Sequence, residues 1–262
     1  MPEILEAEQA RALIEATGLD REIASVHAPD AWFLKRGLTP SAVRKALPGR
    51  ALVDARRRGK LLLIDTSDHG PVLGLHLGMS GRILIDGDAA GDPLLYASNR
   101  DEPAWRRFGL RFADGGTLSL RDPRRLGAVE LDPDEDRLGP DALSLTRGQL
   151  GAVVTRSAAP VKAVLMDQAR IAGLGNLLTD EALWRAGIDP ARPANGLDAD
   201  EIARLHTAIR RTLRVLGRRG GSHTGDHMPA RFPGAVCPKD GAPVQRRTIG
   251  GRTTYSCPVH QR

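Results

Sequence analysis

The spacing of apolar residues changes near Leu131, and this change limits the folds open to the chain more than any other pattern in it. Before Leu131 the apolar residues form short runs typical of β-strands, namely LLLID, PVLGLHLG, GRILID, LRFADGGTLSL and GAVEL. After it they recur at the three- and four-residue spacing of amphipathic helices, over 146–156, 160–170, 176–186 and 199–217. The sequence therefore predicts a β-rich part followed by a helical part.

A proline that favours a helix start and two polar segments mark the boundaries of the β-rich and helical parts. Residues 4–17 have helical spacing directly behind Pro2, so we expect an N-terminal helix before the strands. The polar, proline-containing stretch DPDEDRLGPDAL follows the last strand, and 217–234 is a linker rich in Gly, Arg and His. The remaining residues, 232–262, form a small module bracketed by the two cysteines of the chain.

The charge of the chain is positive. Arginine and lysine outnumber aspartate and glutamate by 38 to 32, which gives a formal net charge of +6. This charge suits a polyanionic partner because each neutralised phosphate releases counterions. A compositional bias toward arginine is the alternative explanation, since arginine supplies 33 of the 38 positive charges.

Three features of the sequence bear on the cellular compartment. Two cysteines give no disulfide framework. No run of about 18 apolar residues is present, and the start MPEILEAEQ is acidic where a signal peptide is basic and then apolar. We expect a cytoplasmic protein with no membrane association.

The N-terminus carries the first candidate chemistry. If Met1 is removed, Pro2 presents a secondary amine beside Glu3 and Glu6. A free α-amine titrates at about pH 8, so part of it is an unprotonated nucleophile. A secondary amine that attacks carbon forms an iminium that cannot lose its charge by deprotonation, and this cation favours elimination. The alternative is that Pro2 only begins a helix whose dipole the two glutamates favour.

Two further regions hold candidate binding residues. Lys60 follows three arginines in ARRRGKLLLID, where its ammonium could hold a phosphate or transfer a proton; a solvated charge run at a strand edge is the alternative. Met79 lies in the turn of LHLGMSGRI, where an apolar side chain could enter the base stack of kinked DNA. A second tight turn, DPRRLG, carries Arg124 and Leu126.

Two predicted helices meet at the glycine-rich turn GLGN, 173–176. The turn leaves Asn176 and nearby N–H groups at a helix start, which attracts anions and could seat a DNA phosphate. A plain helical hairpin with a glycine cap is the alternative.

Together, and in this order, these segments resemble the formamidopyrimidine-DNA glycosylase and endonuclease VIII family of DNA glycosylases. The resemblance runs from the MPE start through RRRGK, HLGMSG, DPRRLG and GLGN to a finger that ends CPVHQ. It implies an α+β fold with an N-terminal helix and catalytic β-sandwich domain over 1–131, a helix–two-turn–helix DNA-binding domain over 132–219 and a zinc-finger-like β-hairpin over 232–262. It also implies a monomer that acts on damaged double-stranded DNA in base excision repair.

The resemblance assigns catalytic roles to five residues. Pro2 would attack C1′ of the damaged nucleotide and form a Schiff base. Glu3 would protonate the sugar ring and then move protons, with Glu6 as a supporting carboxylate. Lys60 would contact phosphate and assist a β,δ-elimination that cuts the strand, and Arg252 would contribute from the finger. The implied enzyme is a bifunctional glycosylase and abasic-site lyase.

The resemblance also assigns DNA-binding roles. Met79 and Arg124 would fill the gap left by the flipped base, and Asn176 and Lys162 would bind the DNA backbone. Leu126 stands where a bulky aromatic residue often follows the paired arginines and helps to read the opposite base.

Two departures from the family pattern stand out. The family start usually has Leu-Pro at positions 4 and 5, where this chain has Ile4 and Leu5. The stretch 218–236 is short for a loop that caps an oxidised purine, which favours the endonuclease VIII branch and oxidised pyrimidines.

The finger of the chain departs from the family pattern C-x2-C, 16 residues, C-x2-C. Here Asp replaces the second cysteine and His the fourth, and both replacements can ligate zinc. We expect one structural zinc ion held by four residues: Cys237, Asp240, Cys257 and His260. A metal-free hairpin is the main alternative, and His223 or His227 could also replace Asp240.

Two other classes of function compete with this interpretation. A non-catalytic DNA-binding protein could keep the scaffold without the chemistry. An RNA- or ribosome-associated helix–two-turn–helix protein would explain the charge but not the combination of the MPE start with Lys60.

Overall fold

The computed structural model describes residues 2–93, 95, 97–98, 100 and 102–262. Met1, on whose removal the chemistry of Pro2 depends, lies outside the described residues. The chain divides into two compact units. The first contains Pro2 and Glu6–Glu135, and the second contains Glu3–Leu5 and Asp136–Arg262.

The first unit is a β-sandwich that begins with a helix, as predicted, and it contains one further helix. The helices are α1 (Ile4–Thr17), whose first two residues belong to the second unit, and α2 (Pro40–Ala46). The strands are β1 (Ile23–His27), β2 (Leu52–Arg58), β3 (Leu61–Thr66), β4 (Leu73–His76), β5 (Arg82–Ile85), β6 (Asp88–Ala89), β7 (Arg106–Phe112), β8 (Thr117–Arg121) and β9 (Ala128–Leu131). Antiparallel pairing gives one sheet in the order β1-β7-β8-β5-β6 and another in the order β2-β3-β4-β9.

Residues two apart on the strands supply the core of this unit. Leu62 and Ile64 of β3 and Phe108 and Leu110 of β7 are buried in one apolar cluster that draws on both sheets. Successive side chains of a strand point to opposite faces, so this period places one face of each sheet against the other.

The second unit is helical and ends in a β-hairpin, which also confirms the prediction. Its elements are α3 (Arg147–Val154), α4 (Val161–Met166), α5 (Asn176–Ala186), α6 (Ala199–Arg218), β10 (Gln245–Ile249) and β11 (Arg252–Ser256). The start of α6 is a capping box, in which Asp198 and Glu201 each accept a hydrogen bond from the backbone of the other. Within the described ranges, none of the helices combines the length and the apolar character that a bilayer crossing needs.

Helix α4 ends at Met166 and not at 170, where the apolar spacing predicted its end. The side chain of Asp167 accepts a hydrogen bond from Ala169 N (3.0 Å), and the Gln168 amide donates to the carbonyls of Met166 (2.7 Å) and Leu174 (2.9 Å). Side chains that bond the nearby backbone compete with helical hydrogen bonds. The stretch between α4 and α5 is therefore a turn.

Candidate functional site

The carboxylate of Glu3 is fully buried at the N-terminus of α5. It accepts hydrogen bonds from three backbone N–H groups, those of Gly175 (2.8 Å), Leu177 (2.7 Å) and Leu178 (3.2 Å). The first N–H groups of a helix have no partner within the helix, and the helix dipole favours a negative charge beside them. The Glu3 carboxylate is thus held at a fixed point by backbone donors.

The glycines of the GLGN turn make room for the N-terminal residues. A Cβ atom at Gly175 would lie 2.3 Å from Cδ of Glu3, and one at Gly173 would lie 2.4 Å from Cδ1 of Ile4. This geometry corrects the expectation that the helix start seats a DNA phosphate. Glu3 already occupies the N–H groups on which that expectation depended.

Three more residues predicted for catalysis belong to the first unit. Pro2 is buried and precedes Glu3 directly. Glu6 is half-buried in the first turn of α1, and Lys60 is half-buried in the turn between β2 and β3. The structure therefore places Lys60 at a defined turn between two paired strands.

The arginines before Lys60 do not form a solvated charge run. Arg57 donates to Glu8 (2.8 Å) and to the carbonyl of Gly59 (2.8 Å). Arg56 forms an ion pair with Glu135 (2.6 Å). These contacts fix the strand that leads into the Lys60 turn.

A single buried carboxylate organises the loops expected to contact DNA. Asp122 accepts hydrogen bonds from the N–H groups of Arg124 (3.1 Å), Leu126 (2.8 Å) and Gly127 (2.7 Å). It also accepts one from the hydroxyl of Ser80 in the neighbouring loop. Asp122 was not among the residues predicted from the sequence, although an Asp at the start of a turn commonly bonds the backbone that follows it.

The two loops so joined present three of the predicted DNA-binding residues. Met79 is 37% exposed, Leu126 is 49% exposed, and Arg124 is exposed as well. A Cβ at Gly78 would lie 2.3 Å from the carbonyl carbon of Leu126, so the loops pack closely. The structure thus brings Met79, Arg124 and Leu126 together on adjoining loops.

Lys162 occupies a different place from the one predicted. Its side chain has no exposed surface, and its ammonium contacts Asp180 (2.7 Å) and the hydroxyl of Thr254 (2.6 Å). Burial lowers the pKa of Lys162, and the neighbouring Asp180 carboxylate opposes this shift. The expected direct contact between Lys162 and the DNA backbone is therefore wrong, because the charge lies in the interior.

Lys162 instead holds strand β11 together with Asn176. The amide of Asn176 donates to the carbonyl of Thr253 (3.1 Å), and the Lys162 ammonium donates to the same oxygen (3.3 Å). The next residue toward the N-terminus is Arg252, which is exposed at the start of β11. Both residues thus fix the backbone beside Arg252.

The four finger residues lie together as a group that could hold a metal ion. Their ligand atoms all lie within 4.8 Å of one another: Cys237, Asp240, Cys257 and His260. In the described part of the chain this is the only such group, and it does not include His223 or His227. The imidazole of His227 is instead directed to the carbonyl of Tyr255 (2.9 Å).

The surroundings of this group suit a metal. Nε2 of His260 lies 3.1 Å from the Trp184 carbonyl, which can only accept a hydrogen bond. A neutral His260 therefore carries its proton on Nε2, and the lone pair of Nδ1 faces Asp240 (3.0 Å). The Trp184 indole N–H donates to Sγ of Cys237 (3.3 Å). The N–H of Ala242, which donates to Asp240, holds the pKa of that carboxyl well below its usual range.

Comparison with known proteins covers both units. The sequence profile described as the formamidopyrimidine-DNA glycosylase N-terminal domain matches residues 1–129, and that of the formamidopyrimidine-DNA glycosylase H2TH domain matches 138–227. A formamidopyrimidine-DNA glycosylase of Paracoccus denitrificans is 37% identical over 291 residues, with 100% of both chains covered. One of Thermus thermophilus is 33% identical, with 100% of this chain and 98% of the relative covered.

Solved structures agree with these sequence matches. The complex between the Lactococcus lactis Fpg and an abasic site containing DNA is similar with a TM-score of 0.83, 25% identity and 100% coverage of both chains. The complex of the L. lactis protein with a Fapy-dG containing DNA gives a TM-score of 0.83 at 27% identity, over 99% of this chain and 100% of that one. These relatives favour the formamidopyrimidine branch over the endonuclease VIII branch that the short stretch 218–236 suggested. The chain belongs to the formamidopyrimidine-DNA glycosylase family.

Proposed function

We propose that this chain is a DNA glycosylase that removes oxidised bases from duplex DNA and then cuts the strand as an abasic-site lyase. The observation that carries the proposal is the anchoring of Glu3 beside Pro2. Chain termini are ordinarily mobile, but three N–H donors fix the Glu3 carboxylate. Removal of Met1 gives Pro2 a secondary amine on this anchored segment.

The proposed reaction begins when the Pro2 nitrogen attacks C1′ and the bond from C1′ to the base breaks, so that the base leaves with a proton. Opening of the sugar then breaks the C1′–O4′ bond, places a proton on O4′ and gives an iminium between Pro2 and C1′. The iminium accepts the electron pair released when a proton leaves C2′. Expulsion of the 3′ phosphate is the β-elimination. Loss of a second proton, from C4′, with expulsion of the 5′ phosphate is the δ-elimination, and water then frees Pro2.

Glu3 is the group proposed to move these protons. General acid–base catalysis needs a titratable group at a fixed position near the reacting atoms, and the clamp on Glu3 supplies the fixed position. Glu6 is the proposed supporting carboxylate. Lys60 is proposed to contact a phosphate and assist the eliminations.

The remaining site residues are proposed to hold the DNA. Arg252 is exposed and carries a positive charge at the hairpin, which suits a phosphate contact. Met79, Arg124 and Leu126 stand on adjoining loops and are proposed to fill the space that the flipped base leaves. The relatives' name and the L. lactis complex with Fapy-dG containing DNA support ring-opened purines as the substrate.

We also propose that the finger holds one structural zinc ion. Cysteine sulfur, carboxylate oxygen and imidazole nitrogen are all zinc ligands, and Cys237, Asp240, Cys257 and His260 would supply the four ligands that a structural zinc site needs. A bound zinc would tie the two ends of a hairpin module too small to bury much apolar surface. We also propose a reducing, cytoplasmic location, in which both cysteines would stay free to bind the metal.

The Glu3→Gln variant tests the proposed chemistry. With Pro2 confirmed by mass as the first residue, we expect this variant to lose base removal by roughly 100- to 10,000-fold while it keeps some cleavage of abasic sites. The Glu15→Gln variant, at an exposed position on α1, is the control and should remain fully active. The measurement is strand cleavage of duplexes with a ring-opened guanine or an abasic site. If the native protein with a Pro2 terminus cleaves neither duplex, a non-catalytic DNA-binding function replaces the proposal.

A further inference from the structure

One face of α6 carries exposed arginines on a stretch of the helix that has no acidic residue. Between Ile202 and Arg218 the helix contains no Asp or Glu. Five arginines there are exposed; Arg204 lies near Glu201 (3.8 Å), and the other four define the α6 basic face: Arg210, Arg211, Arg214 and Arg218. Three of them, Arg211, Arg214 and Arg218, follow the spacing of three and four residues that places side chains on one side of a helix.

These four arginines differ from those around them. Arg192 pairs with Glu201 (2.5 Å) and Arg219 with Asp226 (2.6 Å), but within the described ranges the α6 basic face has no ion pair or side-chain hydrogen bond. Like charges three or four residues apart on a helix repel one another and destabilise it. An anionic partner would remove this repulsion.

The chemistry of the face favours phosphate over an acidic protein. Its exposed residues include no large apolar side chain, whereas protein partners are anchored by buried apolar and aromatic groups. Guanidinium groups bind phosphate oxygens with two parallel hydrogen bonds. Arg211 and Arg218 are separated by about 10 Å along the helix axis, which is close to the roughly 12 Å width of the DNA major groove.

Arg211 of this face lies away from Glu3, whereas the other end of the face approaches the N-terminal segment: a Cβ at Gly217, beside Arg218, would lie 3.5 Å from Cδ2 of Leu5. Arg204 and Arg211 line a groove with Arg185 and Ala186, at the C-terminal end of α5. Glu3 binds the N-terminal end of the same helix. The 11 residues of α5 put about 16 Å between its two ends.

We propose that the α6 basic face binds a second segment of duplex DNA through its phosphates. An enzyme with two such surfaces can pass from one DNA segment to another before it leaves the first. Binding of DNA at this face does not depend on the chemistry proposed for Pro2 and Glu3.

The test compares two variants of the full chain that each lose two positive charges. Arg211→Ala/Arg214→Ala removes the centre of the α6 basic face, and Ala preserves the helix. Lys45→Ala/Arg111→Ala is the control, since both residues are exposed in the first unit. The measurements are the salt dependence of binding to undamaged duplex and the rate at which labelled duplex leaves the protein as unlabelled duplex is added.

We expect native protein and the control to release labelled duplex faster as unlabelled duplex increases. The Arg211→Ala/Arg214→Ala variant should lose this dependence. Its slope of log K against log salt should also fall by about 0.9 for each phosphate that the variant no longer neutralises. Equal slopes and equal competitor dependence in the two variants would overturn the proposal. So would displacement of the DNA from this face by poly-glutamate more readily than by duplex, which would assign an acidic protein partner.

Discussion

Glu3 and Lys162 are charged residues with no exposed surface, and the protein balances their charges in different ways. Glu3 is paired with backbone N–H groups at a helix start, so its partners add no second buried ion. Lys162 is paired with Asp180, whose other oxygen is bound by Arg231. A buried charge is tolerated only when such partners replace its hydration, so both residues fix the segments around them.

The Lys162→Met variant tests whether Lys162 acts through Arg252. Removing the ammonium leaves Asp180 with Arg231 as its remaining cation, so we expect a loss of up to about 3 kcal/mol in the free energy of unfolding. Urea denaturation measures this loss. The Lys162→Met/Asp180→Asn variant should recover part of it, because the unpaired carboxylate is gone.

DNA affinity separates a positioning role from a merely structural one. If Lys162 positions Arg252, the Arg252→Ala change should cost less affinity and alter the salt slope less in the Lys162→Met background than in the native protein. Equal effects of Arg252→Ala in both backgrounds would show that Lys162 does not act through Arg252.

At the scale of elements, the apolar periodicity predicted the sandwich, the helical unit and the hairpin. It placed the end of α4 too late because side-chain hydrogen bonds form the turn from Asp167 onward. The spacing of apolar residues does not reveal such bonds. The motifs located the loops that carry Met79 and Arg124. They could not show that Glu3 fills the start of α5 or that Lys162 is buried, since both facts depend on partners far away in the sequence.

The C-terminal hairpin yields a prediction about its metal. A carboxylate is a weaker zinc ligand than a thiolate, so Asp240→Cys should hold zinc more tightly than the native chain. His260→Ala should release zinc and weaken DNA binding, because β11 carries Arg252. The measurement is metal content by atomic emission on tag-free protein before and after a mild chelator. A content near zero zinc ions per chain in freshly purified, active protein would mean that the hairpin folds without metal.

At the scale of the whole molecule, the proposed activity draws on both units. Pro2 and Lys60 belong to the first unit, and Glu3 and Arg252 belong to the second. The net charge of +6 adds a general attraction to DNA that salt will weaken. Because the residues proposed for the reaction come from both units, tests of the central claim use the intact protein.

Borohydride trapping of the native, full-length protein on duplex DNA with an abasic site tests most directly the claim that Pro2 is the nucleophile. Borohydride reduces the iminium to a stable amine, so the protein and the DNA become covalently joined. We predict that peptide mass spectrometry will place the adduct on the nitrogen of Pro2, and that protein with an acetylated N-terminus will form none. An adduct on Lys60 or another lysine, or no adduct from protein with a free Pro2, would contradict the account.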